Sequence, residues 1–166
     1  MAQPINSFNS VLAYVQNKFY QWAGEDTLRG QLVRSNQNYK DFKLTAAQMD
    51  ALNATPVSVL PAPGVGLANV IDSIVLFVDA GATPFELGSG VLEFRYTDGS
   101  GAKVVTDIAN AVVESATDAY GNNPGIVAAV SLNAAVVAHA SADVTAGDGA
   151  IYGRIFYHTV NPSELA

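Results

Sequence analysis

The sequence predicts an all-β fold, an antiparallel β-sandwich of about seven or eight strands, preceded by an N-terminal helical or extended arm. From residue 56 onward apolar residues recur with period two, and clusters of Gly, Pro, Asn, Asp and Ser interrupt them at short intervals, so the connections favour antiparallel neighbours. With 166 residues, 49% of them hydrophobic, the chain can bury one core and is too short for two large ones. The division that follows is an arm over 1–44 and a β-domain over 45–166.

In the arm, Phe8, Leu12, Val15, Phe19 and Trp22 follow one another at steps of 4, 3, 4 and 3, which puts all five on one stripe of a helix over about 7–23. Ser7 suits its start and Gly24 its end. The stripe either packs on its own domain or docks on a neighbouring subunit. From Glu25 to Leu44 polar and basic residues interrupt every possible face, the composition of a linker or extended arm. Leu44 to Leu52 then offers one or two helical turns, because Thr45 and Gln48 have capping-box spacing, and Pro56 ends them.

The first strand is Pro56 to Leu60, closed by PAPGVG. Leu67 to Asp79 is a long one with Val70, Ile74, Leu76 and Val78 on one face and Ile71, Val75 and Phe77 on the other. With both faces apolar it belongs in the middle of a sheet or at a subunit contact. Val91 to Thr97 alternates, Leu92, Phe94 and Tyr96 inward and Glu93, Arg95 and Thr97 outward, and Asp98-Gly99-Ser100-Gly101 turns it into a partner over Ala102 to Ile108. Ala109 to Pro124 fits a short helix or a strand with a loop, and Asn122-Asn123-Pro124-Gly125 reads as a turn. Val127 to Ser131, Ala134 to Ala142 and Ala150 to Val160 complete the strands, the last with Ile151, Ile155 and Tyr157 on one face.

Composition limits the function. The chain has no cysteine, which removes disulfides, thiolate metal sites and a Cys nucleophile together. Only 14% of residues are charged, a surface better suited to burial against other subunits than to isolation in water. A net charge of −7 argues against nucleic-acid binding, since phosphate contacts need clustered Lys and Arg. The imbalance is local: residues 1–44 carry five bases against three acids, and residues 45–166 carry three against twelve. The opening MAQPINSFNS lacks a charged region followed by an apolar run, and no later run reaches the ~20 apolar residues of a membrane span, so the expectation is a chain with no leader and no membrane partner.

No residue pattern specifies catalysis, a metal or a cofactor. His139 and His158 both fall inside predicted strands without a GxSxG elbow, and two histidines without cysteine leave zinc short of ligands. Asp98 with Asp107, and Asp143 with Asp148, lack the order of a calcium loop, while Asp-Gly is ordinary turn chemistry. Nothing singles out a carboxylate pair for glycoside hydrolysis. Gly64-Val65-Gly66 has no third glycine and leads into a strand, so a phosphate would find no helix N-terminus there, and no Walker A lysine exists. The aromatic residues gather in the arm (Tyr14, Phe19, Tyr20, Trp22) and the last strand (Tyr152, Phe156, Tyr157), where packing, subunit contact or carbohydrate binding would each use them.

The segment LTAAQMDALNATPVSVLPAPGVG at Leu44 to Gly66, followed in order by VIDSIVLFVDAG, LEFRYTDGSG and GDGAIYGRIFYHTV, resembles small structural proteins of tailed bacteriophages, the head decoration, cement and fibre-like proteins. The resemblance covers about residues 44–166 and lies in pattern, not in one motif. It implies a jelly-roll-like sandwich, often a homotrimer, on the outer surface of an icosahedral phage head over the contacts between major capsid proteins, with no catalytic residues and no cofactor. The corresponding location is the virion, after synthesis in the host cytoplasm. In that setting Phe8, Leu12, Val15, Phe19 and Trp22 would anchor the arm, and Lys18, Arg29 and Arg34 would meet an acidic capsid surface. The competing class is a tail or fibre module that presents loops to host glycans.

Overall fold

The computed structural model describes residues 38–125 and 130–164. The chain divides between Gln37 and Asn38, and every described element belongs to the second unit. The striped helix expected over 7–23 lies outside the described residues, as does most of the strand expected over 127–131.

The elements run β1 (Asn38–Thr45), α1 (Ala46–Asp50), β2 (Val57–Leu60), β3 (Ala68–Asp79), β4 (Leu92–Tyr96), α2 (Asn110–Val113), β5 (Ala119–Pro124), β6 (Val136–Ala140) and β7 (Ala150–Val160), then a 3-10 turn at Pro162–Glu164. They form two antiparallel sheets, ordered β1-β7-β3-β5 and β2-β6-β4. The pairing is nested: β1 with β7, β2 with β6, β3 with β5, and β4 with the segment that returns after its own turn. That segment, 102–108, is not a continuous strand. It follows β4 through isolated bridges, Arg95 to Lys103 and Leu92 to Ile108, and through the bonds from the Val104 and Ile108 N–H groups to the Phe94 and Leu92 carbonyls. A long hairpin paired outermost to outermost, then rolled so that β3 lies against β7 and β4 against β6, is the winding of a jelly roll.

Local chemistry accounts for the elements. Thr45 caps α1 as its spacing predicts, its hydroxyl accepting from the Gln48 N–H at 3.3 Å while the Gln48 side chain accepts from the Thr45 N–H at 3.0 Å. Ala109 to Pro124 resolves into both alternatives, α2 and then β5. Asn122, Asn123 and Pro124, which read as a turn, instead end edge strand β5 opposite Val75, Ile74 and Ser73. An edge strand tolerates proline because one side of it forms no ladder.

Two further expectations change. Residues 38–44, grouped with the arm, form the edge strand beside β7. Their alternating Tyr39, Asp41 and Lys43 against Phe42 and Leu44 make a strand whose outer face is polar or aromatic, and polar residues at an edge conceal the pattern. In β3 the register slips between Ile71 and Ser73, leaving Asp72 as a bulge. One inserted residue exchanges the faces beyond it. Ile71 therefore joins the buried Ile74, Leu76 and Val78, while Val70 turns to the other side.

Both sheets contribute to one core, with Leu44, Ile74, Leu76 and Ile151 from the first and Leu92, Phe94 and Val136 from the second. Across it the Phe42 ring meets Phe94 edge-on at 5.6 Å. Gly153 makes this possible, since a Cβ there would overlap the Phe42 ring. The buried polar group Asn69 is satisfied: its amide donates to the Pro61 carbonyl at 3.1 Å, its side-chain oxygen accepts from the Thr159 hydroxyl at 2.9 Å, and its carbonyl accepts from the Tyr96 hydroxyl at 2.6 Å.

Candidate interaction face

Registration across the four-stranded sheet sets its outward side chains in rungs. Lys43, Tyr152, Phe77 and Tyr120 stand opposite one another on β1, β7, β3 and β5. The next rung is Asp41, Arg154, Val75 and Asn122, and the third is Tyr39, Phe156, Ser73 and Pro124. Phe77 leans on both neighbours, with ring centroids 5.0 Å from Tyr120 and 6.2 Å from Tyr152. Lys43 Nζ lies 4.8 Å from the centre of the Tyr152 ring. Tyr120 remains 74% exposed and Tyr39 61%, although aromatic side chains of this size ordinarily find cover.

Beside the aromatic rung, Arg154 donates from Nε to Asp41 Oδ1 at 2.6 Å and from Nη2 to Oδ2 at 2.9 Å, a bidentate pair. The guanidinium also covers the Tyr39 ring, 4.4 Å from its centre. Its hydrogen bonds hold the Asp41 carboxyl below the ordinary aspartate range. Between the two rungs is a shallow depression of about 380 Å³, lined by Asp41, Val75, Phe77, Tyr120, Tyr152 and Arg154 among others. Further along this face His158 Nδ1 lies 3.0 Å from Asp72 Oδ1, at the bulge.

The outer face of the second sheet is organised differently. Glu93, expected to face water, is buried beneath basic groups: Arg95 Nε at 2.5 Å, Lys103 Nζ at 2.9 Å and His139 Nδ1 at 3.4 Å. Burial by itself would raise the Glu93 carboxyl, but the hydrogen bonds and charges of Arg95 and Lys103 outweigh it and bring the pKa down to about 2. Arg95 Nη1 also donates to the Gly101 carbonyl at 2.6 Å, and Lys103 reaches Asp107 at 2.5 Å, so this network fastens the 98–101 turn and the returning segment to β4.

The remaining candidates are structural. Asp98 accepts from the Ser100 side chain and from the Ser100 and Gly101 N–H groups, which lowers its pKa and shapes the turn. Asp148 accepts from the Ala82 and Thr83 N–H groups at 2.9 and 2.8 Å and pins the loop after β3. Among the described residues no three His, Asp or Glu groups gather in a way that would hold a metal ion, and no helix is long and apolar enough to cross a membrane.

Phe8, Leu12, Val15, Lys18, Phe19, Trp22, Arg29 and Arg34 lie outside the described residues. Of the aromatic group in the last strand, Tyr152 and Phe156 do face outward, while Tyr157 turns toward the core. Tyr120 was hidden because the segment before it carries no clear period.

No family model matches the chain. No curated protein matches it. Among solved structures it is similar to a chain of the cyanophage Pam1 capsid asymmetric unit, at 15% identity and a TM-score of 0.43, over 74% of this chain and 82% of that one.

Proposed function

We propose that this chain is a structural protein of a phage virion, a decoration or cement protein that binds the outer surface of an icosahedral head and reinforces contacts between major capsid proteins. The observation that carries the reading is a division of labour within the domain. Its most buried charged side chain, Glu93, and its turn carboxylates Asp98 and Asp148 hold the fold together, whereas the exposed aromatic side chains gather on one sheet face. Such a surface makes contacts rather than bonds. The resemblance of residues 44–166 to phage head proteins gives those contacts a setting, and a jelly roll is a recurrent capsid scaffold.

In this role the basic arm supplies the capsid contact. Phe8, Leu12, Val15, Phe19 and Trp22 anchor it, and Lys18, Arg29 and Arg34 meet acidic capsid surface. A protein that binds the assembled shell in preference to its parts stabilises the shell by mass action, and repetition around the shell multiplies modest contacts, the more so if the domain trimerises. Cryo-electron microscopy of the source particle tests this. Density for the domain at local or quasi-threefold positions of the head is the expected result. Density on the tail alone would sink the proposal in favour of a receptor-binding module. Deleting residues 1–30 should abolish capsid binding and leave the β-sheet circular dichroism intact.

A further inference from the structure

The edges of the two sheets are not shielded alike, and we infer that the outer edge of β1 pairs antiparallel with the β1 of a second copy of this chain across a two-fold axis, joining two four-stranded sheets into one. The inference does not rest on the decoration reading. It starts from the rule that a sheet edge offers backbone N–H and C=O groups to any passing strand, so proteins ordinarily blunt or cover it.

Three of the four edge strands are dealt with by their own chain. β5 ends in Pro124, and Asn123 beside it donates to the Thr106 and Asp107 carbonyls, each at 3.2 Å, which draws the returning segment along that side. A bridge from Val105 to Gly125 extends the cover. β2 is four residues long and is broken by a register shift between Ser58 and Leu60. β4 has the returning segment along its outer side. β1 differs from all three. Its eight residues pair with β7 in one unbroken register, it contains no proline, and β7 is its one strand neighbour among the described residues. Tyr39, Lys40, Asp41, Lys43 and Thr45 are exposed along it.

The charge pattern of β1 identifies the occupant. A two-fold axis that sets two antiparallel strands side by side stands perpendicular to the sheet and keeps each face on its own side. Opposed residues then share parity, and the axis passes between one residue and its own copy. With Lys40, Asp41 or Lys43 at that position, identical charges would oppose each other. Tyr39 there would overlap only 38–40, and Leu44 only 43–45. Phe42 on the axis pairs the whole of 39–45: Asp41 stands opposite the second copy's Lys43, Lys43 opposite its Asp41, Tyr39 opposite its Thr45 and Lys40 opposite its Leu44. Arg154 takes one lone pair from each Asp41 oxygen, so the carboxylate can receive a second cation without releasing the first. The strand is thus complementary to itself in one full-length register, which is what a two-fold contact demands.

Sedimentation velocity on the full chain, up to about 100 μM, tests this. The wild type should dimerise. Lys43→Asp sets acid against Asp41 at two symmetric places and should weaken the dimer about thirtyfold. Asp41→Lys should weaken it likewise by setting base against base. Mixing the two variants should restore a dimer, because each supplies the charge the other lacks. Both side chains are exposed, so circular dichroism should stay as in the wild type, and Lys43→Asp tests the inference by itself if Asp41→Lys fails to fold. A wild type that stays monomeric overturns the inference, as does a trimer, since an antiparallel β1 pair closes at two copies. It is equally overturned by a dimer that Lys43→Asp leaves intact, or by folded variants that stay monomeric when mixed. None of these results bears on where the protein sits on a particle.

Discussion

The two sheets of the jelly roll treat their outer faces in opposite ways. On β2-β6-β4 a buried carboxylate draws Arg95, Lys103 and His139 onto itself, and the surface closes over its own charges. On β1-β7-β3-β5 the side chains stand in open rungs, and Tyr39, Val75, Tyr120 and Tyr152 stay exposed. One face therefore contributes to stability, and the other is available to a partner. Substitutions on the first should be felt in folding, and substitutions on the second in binding.

The largest effect is expected at the turn that delivers the network. A Cβ on Gly101 would collide with the Tyr96 carbonyl, so Gly101→Ala should cost about 3–4 kcal/mol in urea unfolding by displacing the segment that carries Lys103. Glu93→Gln comes next, at about 2–3 kcal/mol, because Arg95 and Lys103 lose the charge they surround. Its pH signature sharpens the contrast. With a folded pKa of about 2 against an ordinary 4.5, Glu93 stabilises the protein fully above the unfolded value and progressively less as pH falls toward 2. Unfolding titrations from pH 6 to 2 should show about 3 kcal/mol of acid-sensitive stability that Glu93→Gln lacks. On the open face Tyr120→Ala should change stability by no more than about 0.5 kcal/mol. Arg154→Ala should be the mildest, since the pair it breaks is exposed, and its melting curve should superimpose on the wild type. A loss on the open face as large as that for Glu93→Gln would erase the distinction between the sheets.

Much of this architecture was legible in the sequence because period and punctuation agree. β7 occupies the residues its pattern predicts, α1 has its capping box, and β3 sits between two neighbours as its two apolar faces require. What escaped was information held between strands. The slip at Asp72 is a property of the β3–β7 pair, and no residue at that position announces it. Glu93 reads as solvent-facing by parity, and its parity is indeed outward; besides Arg95, two of the side chains that cover it, Lys103 and His139, lie 10 and 46 positions away. The open face was visible only in part. Phe77 and Tyr152 stood out as apolar positions in strands, but their alignment with Tyr120 arises from register, which distant segments set jointly.

The nested pairing also dictates the order in which the molecule can be completed. β7, the penultimate described element, is the strand that separates β1 from β3, so an interior strand of this sheet is made after the three strands it is assembled with. During synthesis β1 and β3 must wait, each with an unsatisfied edge, for a strand that begins at Ala150. Folding dominated by such distant pairings is slow, and its waiting intermediates invite edge-to-edge aggregation. The Lys40, Asp41 and Lys43 charges on β1 lie on one of those waiting edges, where they also discourage a foreign strand from taking the place kept for β7.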